Sequence, residues 1–243
     1  MNIIIPMAGR GSRTNDLTSI PKPLIPIKGK SMIDWVIKSL KLKGNYFFIT
    51  RRYAYKEWNV QLNKILDNTC PGCKIIEIDY ITEGPACSAL IPKNDINNNE
   101  PLIVVNCDQI MHWDSQKFLE TCNREDLDGV LVTQNKSTIK NSYIALDEKG
   151  YGIAVKEKEI ISSHALTGLH FWKKGRYFVE STEEMIAKNI RYNNEFYIAP
   201  TYNFLIDKNL KIGIHEIELH ENWPTGTTED ITNFIKYYSY ENL

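Results

Sequence analysis

The sequence lacks an excess of charge of either sign, and it lacks any long apolar run. Its 29 basic and 30 acidic residues nearly cancel, so no overall field would draw the chain to nucleic acid or to an anionic membrane. No apolar run approaches the roughly 20 residues of a membrane-spanning helix, and the first one is too short for a signal peptide. We therefore expect a soluble, cytoplasmic protein whose anion binding, if any, depends on a local basic cluster.

Cysteine is scarce and odd in number, which argues against a disulfide framework. The five cysteines are irregularly spaced except for Cys70 and Cys73 in the run "CPGC". That pair resembles half of a zinc site, but no second cysteine pair and no histidine pair at ligand spacing completes it. The favoured interpretation is a Pro-Gly turn between reduced thiols.

The hydrophobic pattern predicts an α/β fold. Apolar strand-like runs such as "NIIIP" and "PLIVV" alternate with helix-like segments over residues 1–135. One of these segments, "SMIDWVIKSLKLKG", has Ser31 as a possible N-cap and Gly44 as its stop. This alternation is typical of a mostly parallel sheet covered by helices on both faces. The pattern loosens over residues 136–243, where hairpins and half-exposed strands predict a mixed α+β extension. We expect one domain, 1–243, built from these two halves.

The loop after the first strand carries glycine and basic residues. Gly9 and Gly11 would let backbone N–H groups approach a phosphate, and Arg13 would supply positive charge. Lys22 is braced by a proline on each side, so it can be held as a fixed cation. The loop is not a Walker loop, and it lacks the third glycine of a dinucleotide fingerprint. On composition alone, a phosphate site and an ordinary strand-to-helix loop remain equally open.

Asp108 follows the most apolar strand candidate in the chain. A carboxylate at the end of such a strand could hold Mg²⁺ against substrate phosphates. The alternative is an aspartate that initiates a turn. Asp114 could be a helix cap or a second acid, and the helix cap is favoured.

Together these segments resemble the sugar-1-phosphate nucleotidyltransferases. The run "GRGSR", the segment "PKPL" and the run "GKSMI" are similar in type and order to that family's signature, and the likeness extends along nearly the whole chain. The resemblance implies a GT-A-like, Rossmann-like fold with a sugar-binding extension. It also implies the Mg²⁺-dependent joining of a nucleoside triphosphate to a sugar 1-phosphate, with release of pyrophosphate.

The resemblance also implies roles for individual residues. Arg13, Lys22, Asp108 and Lys158 would be catalytic, with Asp108 as the metal ligand. The nucleotide would be bound by Ala8, Gly9, Gly11, Thr82, Glu83 and Gly84. The sugar phosphate would be bound by Glu157, Lys158, Gly168 and Glu195. The alternatives are a solvated hairpin arm for Glu157 and Lys158, and an acid at a helix start for Glu195.

The run "WPTGTTED" departs from the family pattern. Pro224 stands where many members have a second metal-binding aspartate, and proline cannot ligate a metal through its side chain. Asp108 alone with phosphates and water, or Asn222 as a substitute, would then hold the metal. We interpret Asp230 as an acid in the first turn of a helix.

Substrate identity stays open at this point. The loop "TEGPACSA" lacks the family's usual Gln-Pro opening, so the nucleobase is not predicted. One alternative is a cytidylyltransferase that acts on another phosphorylated small molecule. Another is a catalytically weak subunit that senses nucleotide sugars. Assembly into a homo-oligomer is also open.

Overall fold

The computed structural model describes residues 1–9, 11 and 18–238, and its elements are numbered in chain order. The strands are β1 Asn2–Pro6, β2 Pro26–Ile27, β3 Lys30–Ser31, β4 Asn45–Arg51, β5 Lys74–Ile78, β6 Leu102–Val105, β7 Gln109–Met111, β8 Gly129–Asn135, β9 Tyr143–Leu146, β10 Gly152–Lys156, β11 His164–Trp172, β12 Ile212–Glu216 and β13 Asn222–Pro224. The helices are α1 Met32–Leu40, α2 Lys56–Thr69, α3 Pro85–Leu90, α4 Lys93–Ile96, α5 Ser115–Cys122, α6 Gly175–Ala187, α7 Thr201–Asp207 and α8 Thr228–Tyr237.

The strand β1 lies inside the main sheet and is buried on both faces. It pairs in parallel with β4 on one side and with β6 on the other, and β5 extends the parallel set beyond β4. Ile3 and Ile5 join the hydrophobic core on one face, while Ile4 joins the core on the other. Parallel neighbours need crossovers, and α1 and α2 supply two of them.

The strand β11 joins this parallel set to the second half of the chain. It runs antiparallel to β6 on one side and to β8 on the other, and it also contacts β9. The strand β10 pairs with β9, and β12 runs parallel to β8. The α/β class with helices flanking the sheet is therefore confirmed, and the second half adds mainly antiparallel strands.

The predicted start of α1 is confirmed, whereas its predicted stop is wrong. Ser31 caps α1, because its Oγ accepts a hydrogen bond from the Asp34 amide at 3.3 Å. The helix ends at Leu40, short of Gly44, because Lys41 adopts a left-handed backbone with φ of 51°. A residue in that conformation ends the helical hydrogen-bond pattern without a glycine.

The "CPGC" run forms a turn between α2 and β5. The amide of Cys73 donates to the carbonyl of Cys70 at 3.1 Å, and burial raises the pKa of the Cys73 thiol to about 11. Within the described residues, no group of three or more His, Cys, Asp or Glu side chains could hold a metal ion. Over the same residues, no helix combines the length and apolar character needed to span a membrane.

Candidate active site

Residues from two neighbouring strand ends meet at one edge of the sheet. Ala8 and Gly9 follow β1, and Asp108 lies three residues beyond β6. Because β1 and β6 are adjacent and parallel, their carboxyl ends open on the same side. Gly11 packs beside Lys22, since a Cβ on Gly11 would lie 3.3 Å from the Lys22 Cβ. The edge thus combines exposed backbone with a lysine and an aspartate.

Lys22 and Asp108 form an ion pair at this edge. The Lys22 Nζ donates to the Asp108 Oδ2, and each side chain is only 11% exposed. Lys22 begins a short 3-10 turn between Pro21 and Pro23, so its backbone is braced as predicted. The amide and hydroxyl of Thr225 both donate to the Asp108 carbonyl, at 2.8 and 3.1 Å. The aspartate is held on both its backbone and its side chain. The predicted Arg13 lies outside the described residues.

The segment after β13 brings a second carboxylate close to Asp108. A Cβ on Gly226 would lie 3.0 Å from the Asp108 Oδ2 and 3.7 Å from the Asp230 Oδ2, so these oxygens are less than 7 Å apart. Asp230 also completes the capping box of α8, whose N-cap is Thr227, since its Oδ2 accepts from the Thr227 amide at 2.9 Å. Its interpretation as a first-turn acid is confirmed, and it lies near Asp108 as well.

The donors at this edge fit a hard divalent cation. Mg²⁺ is usually bound through one or two carboxylates, with substrate phosphates and water completing its shell. Asp108 and Asp230 supply that number of carboxylates. The ion pair between the Lys22 ammonium and Asp108 shows that the position accommodates a positive charge. Pro224 pairs with Gln109 in the β13–β7 ribbon. Asn222 donates through its Nδ2 to the Gln134 Oε1 on β8 at 3.3 Å, so its amide nitrogen is engaged within the protein.

The loop at residues 82–84 is built largely by contacts within the protein. The Thr82 hydroxyl donates to the Gly84 carbonyl at 3.1 Å, and Arg191 Nη2 donates to Glu83 Oε2 at 2.5 Å. Gly84 has φ of 140°, and a Cβ there would lie 2.5 Å from both the amide nitrogen and the carbonyl oxygen of Phe196. Only glycine fits at this position. The side chains of Thr82 and Glu83 are thus engaged within the protein, and the carbonyls of Glu83 and Gly84 accept from the amides of Phe196 and Ser88 at 2.8 and 3.1 Å.

Glu157 and Lys158 follow β10, on a turn that departs from regular strand geometry. The Ser142 hydroxyl donates to the Glu157 Oε2, and burial raises the pKa of Glu157 against the opposing effects of Ser142 and Lys158. Lys158 has φ of 53°, and its Nζ donates to the Tyr197 hydroxyl at 3.2 Å. This geometry describes a fixed pair of side chains, in contrast to a solvated hairpin arm.

Gly168 connects the two halves close to Asp108. It has φ of 93° and lies where the register between β11 and β8 shifts. The Asn106 amide donates to the Gly168 carbonyl at 3.0 Å, and a Cβ on Gly168 would lie 2.3 Å from the Asn106 Nδ2. The absent side chain at Gly168 is therefore what admits the Asn106 side chain, two residues before Asp108.

Comparison with known proteins gives both sequence relatives and structural neighbours, although no family model matches the chain. The bifunctional protein GlmU of Methanocaldococcus jannaschii is 30% identical over 162 residues, which cover 65% of this chain and 36% of that protein. GlmU of Methanococcus maripaludis is 27% identical over 231 residues, which cover 92% of this chain. The chain spans only 36% and 50% of the length of these two relatives.

Solved structures extend the likeness over the whole fold. The nucleoside-diphosphate-sugar pyrophosphorylase from Vibrio cholerae has a TM-score of 0.83 at 24% identity, and 96% of this chain and 99% of that one are covered. By sequence the chain is similar to GlmU, and it shares the fold of this pyrophosphorylase. The inositol-1-phosphate CTP transferase from T. maritima shares the fold at 12% identity, with a TM-score of 0.73 over 98% of this chain and 96% of that one.

Within this fold, the expected position of Glu195 at a helix start is wrong. Glu195 lies in a tight hairpin, where its amide donates to the Tyr192 carbonyl at 2.9 Å and its carbonyl accepts from the Tyr192 amide at 3.0 Å. Asn193 and Asn194 between them are both left-handed. The next helix, α7, begins only at Thr201, and the Glu195 side chain is exposed. The run "NNE" is a typical turn signal, and it outweighs the helix pattern that follows.

Sequence reasoning missed several residues that shape this site. Ser142 anchors Glu157, Asn106 packs over Gly168, and Tyr197 binds Lys158. The only sequence signal for any of them is the abundance of tyrosine around the "NNE" turn. Ser142 is 15 residues from Glu157, and only the β9–β10 hairpin register brings the two together.

Proposed function

We propose that this chain joins a nucleoside triphosphate to a sugar 1-phosphate, giving a nucleoside diphosphate sugar and pyrophosphate. The observation that carries this proposal is the buried Lys22–Asp108 ion pair at the shared end of β1 and β6, beside Gly9 and Gly11. The GlmU relatives and the pyrophosphorylase neighbour support the reaction class.

The reaction is an in-line displacement at phosphorus. An oxygen of the sugar phosphate attacks the α-phosphorus of the triphosphate, and the bond to the departing pyrophosphate breaks. The acceptor phosphate is already ionised, so no protein group has to remove a proton. The protein's contribution is therefore positioning and charge neutralisation. The cysteines need no catalytic role.

On the nucleotide side, backbone N–H groups of Ala8, Gly9 and Gly11 would approach the triphosphate. Lys22 would neutralise charge that develops on it, because a substrate phosphate can replace Asp108 as the partner of its ammonium. Arg13 is proposed for the same task from the sequence resemblance. The nucleobase would be read at the Thr82–Glu83–Gly84 loop, chiefly by backbone N–H groups, since both side chains and the carbonyls of Glu83 and Gly84 are engaged in protein contacts.

Asp108, with Asp230 nearby, would hold Mg²⁺. When bound, the ion neutralises and orients the phosphates. The contribution of the chain's own residues is to keep the Asp108 carboxylate fixed, and the two hydrogen bonds from Thr225 to its carbonyl support that role. Pro224 would not coordinate the ion.

On the acceptor side, Lys158 would bind the sugar phosphate and Glu157 would accept a sugar hydroxyl. Their fixed geometry beside Ser142 and Tyr197 supports this assignment. Gly168 would line the sugar pocket together with Asn106. Glu195 is proposed as a further sugar contact, and its exposed place in the hairpin leaves its carboxylate accessible.

A substrate panel tests the proposal. The purified chain is incubated with each of four nucleoside triphosphates against several sugar 1-phosphates, and pyrophosphate release is measured with Mg²⁺ and with EDTA. We expect turnover with at least one pair and its loss in EDTA. Binding of nucleotide sugars without turnover for any pair would contradict the enzyme proposal and favour a sensing subunit.

The panel should include CTP with inositol 1-phosphate and with other phosphorylated alcohols. The likeness to the inositol-1-phosphate CTP transferase gives a specific reason for this arm, because that protein shares the fold over nearly the whole chain. Turnover restricted to this arm would change the acceptor assignment from a sugar 1-phosphate to a phosphorylated alcohol, while leaving the chemistry at phosphorus the same.

A further inference from the structure

The ammonium of Lys158 lies in a notch between two tyrosine rings. Its Nζ is 5.0 Å from the ring centroid of Tyr197 and 5.3 Å from that of Tyr192. The two rings are 6.0 Å apart and nearly perpendicular, at 82°. The same Nζ donates to the Tyr197 hydroxyl at 3.2 Å. Both rings lie within the distance at which a cation is attracted to an aromatic face.

This arrangement holds a cation without cancelling its charge. Within the described residues, no carboxylate oxygen lies within 4 Å of the Lys158 Nζ, although Glu157 is its neighbour in sequence. A carboxylate partner would compete with an incoming phosphate, whereas an aromatic face does not. A free lysine side chain would also lose rotamer freedom on binding, and a side chain that is already held loses less.

The rings stand on a rigid support. Tyr192 and Glu195 close a two-residue turn through Asn193 and Asn194, whose φ values are 45° and 63°. Such a pair of left-handed residues is the geometry of a type I′ hairpin, which asparagine favours. Tyr197 follows directly after this turn, so both rings are fixed by one short loop.

The hairpin is docked on the loop that we propose for the nucleobase. The Phe196 amide donates to the Glu83 carbonyl at 2.8 Å, and the Ala86 amide donates to the Phe196 carbonyl at 3.0 Å. The guanidinium of Arg191 lies 3.9 Å from the Phe196 ring centroid, and it also pairs with Glu83. The tyrosine notch therefore has a fixed position relative to the nucleotide loop.

We propose that Tyr192 and Tyr197 are positioning residues that hold the Lys158 ammonium ready for the phosphate of the acceptor. This inference rests on the proposed function. It assigns the two tyrosines to acceptor binding and leaves nucleotide binding to other residues. It also explains why a chain would place two large aromatic side chains around a lysine at a polar edge.

A double-mutant cycle with Lys158 tests the role. In Tyr192→Leu/Tyr197→Leu we expect the KM for the phosphorylated acceptor to rise about tenfold, with the KM for the triphosphate unchanged. Tyr197→Phe removes only the hydroxyl and should raise the acceptor KM about threefold, and Tyr192→Phe is the matched control that keeps the ring. In the Lys158→Met background, the tyrosine substitutions should have no further effect.

Two results would overturn the positioning role. One is an equally large tyrosine effect in the Lys158→Met background, which would mean that the rings act on the fold. The other is an equal rise in the KM for the triphosphate. Thermal unfolding of each variant is measured alongside, and Tyr197→Phe and Tyr192→Phe keep the test usable if the double leucine variant does not fold.

A spectroscopic measurement separates this inference from the proposed function. Reductive ¹³C-methylation labels the lysines, and the Lys158 signal is assigned by its loss in Lys158→Arg. Ring currents should shift that signal upfield in the wild-type chain, and the shift should disappear in Tyr192→Leu/Tyr197→Leu. A normal Lys158 signal would overturn the positioning role. A shifted signal in a chain that turns over no substrate pair would mean that only the proposed function fails.

Discussion

The two halves of the candidate site are held by different means. At the nucleotide edge, Gly9 and Asp108 follow adjacent parallel strands, and an ion pair with Lys22 fixes the Asp108 side chain. At the acceptor edge, Glu157 and Lys158 lie on a left-handed turn and depend on side chains from other loops. The first edge takes its geometry from the sheet, and the second takes its geometry from side-chain contacts.

Because of this difference, we expect the two edges to respond differently to amino-acid substitutions. A backbone at the end of a buried parallel strand is fixed by its neighbours, so substitutions there should affect chemistry more than shape. A turn supported by a serine and two tyrosines can lose its geometry through residues that never touch substrate. Gly84 of the proposed nucleotide loop and Phe196 of the acceptor-side hairpin lie where the two edges meet. The following substitutions, ordered by expected effect, test this contrast.

The largest effect is expected at the nucleotide edge. Asp108→Asn should reduce turnover by about 1,000-fold, because it removes the charge that would hold the metal and orient the phosphates. The matched control is Asp114→Asn, whose parent caps α5 by accepting from the Gln116 amide at 3.0 Å. Asparagine caps helices as well as aspartate does, so the control should keep its turnover. Equal turnover in the wild type and in Asp108→Asn, measured by pyrophosphate release, would contradict the proposed role.

The next effect is expected where the two edges meet. Gly84→Ala should lower the free energy of unfolding by about 3 kcal/mol or more, because φ of 140° strains alanine and its Cβ would overlap the Phe196 backbone. Gly150→Ala is the matched control, since Gly150 also has positive φ, at 83°, but has nothing within 4 Å of the added carbon. It should cost only about 1–2 kcal/mol. Urea unfolding checks both, and equal losses would show that the overlap with Phe196 is relieved.

The contrast between the edges also describes what the sequence could predict. The parallel strands and Asp108 were predicted from apolar runs alone, because a buried strand is hydrophobic throughout and its end is marked by polar residues. The Lys22 brace was readable from its two prolines. These signals are local, so they survive without any knowledge of tertiary contacts.

The acceptor edge carries no comparable local signal. Glu157 and Lys158 were predicted only through the family resemblance, and Ser142, Tyr192 and Tyr197 were missed. Their contacts span 15 to 39 residues along the chain and depend on a hairpin register and on a docked turn. The stop of α1 at Leu40 was missed for a related reason, since a lysine can adopt the left-handed conformation that the pattern assigns to glycine.

A smaller effect is expected at the acceptor edge, where stability and activity should move in opposite directions. Burial raises the pKa of Glu157, so the folded state holds a proton more tightly than the unfolded one. Wild-type stability should therefore fall as pH rises above the ordinary carboxyl range. Glu157→Gln removes this loss. The free energy of unfolding of the variant minus that of the wild type should therefore be larger at pH 7.5 than at pH 4.5. The kcat/KM for the acceptor should fall about 30-fold, mainly because the acceptor KM rises.

The exposed Glu159 gives the control for this prediction, because Glu159→Gln removes the same charge two residues away. It should leave both the pH dependence and the acceptor KM close to wild type. If Glu157→Gln loses stability at pH 7.5, then the Glu157 carboxylate is better accommodated than its burial implies. The contrast between a sheet-built edge and a contact-built edge would then be weaker than proposed.

The smallest effect is expected in β11, the strand that both halves share. His170 is buried between Trp172 and Tyr202, with ring centroids at 6.0 and 6.1 Å, and burial lowers its pKa to about 3. Protons therefore bind the unfolded state more strongly below pH 6.5, so His170 should lower stability by about 1.4 kcal/mol between pH 7.5 and pH 5.5. His170→Phe keeps a ring and should remove that part of the pH dependence. Urea unfolding at the two pH values measures it, and an unchanged pH dependence would mean that His170 is protonated in the folded chain, which its burial in the shared core argues against.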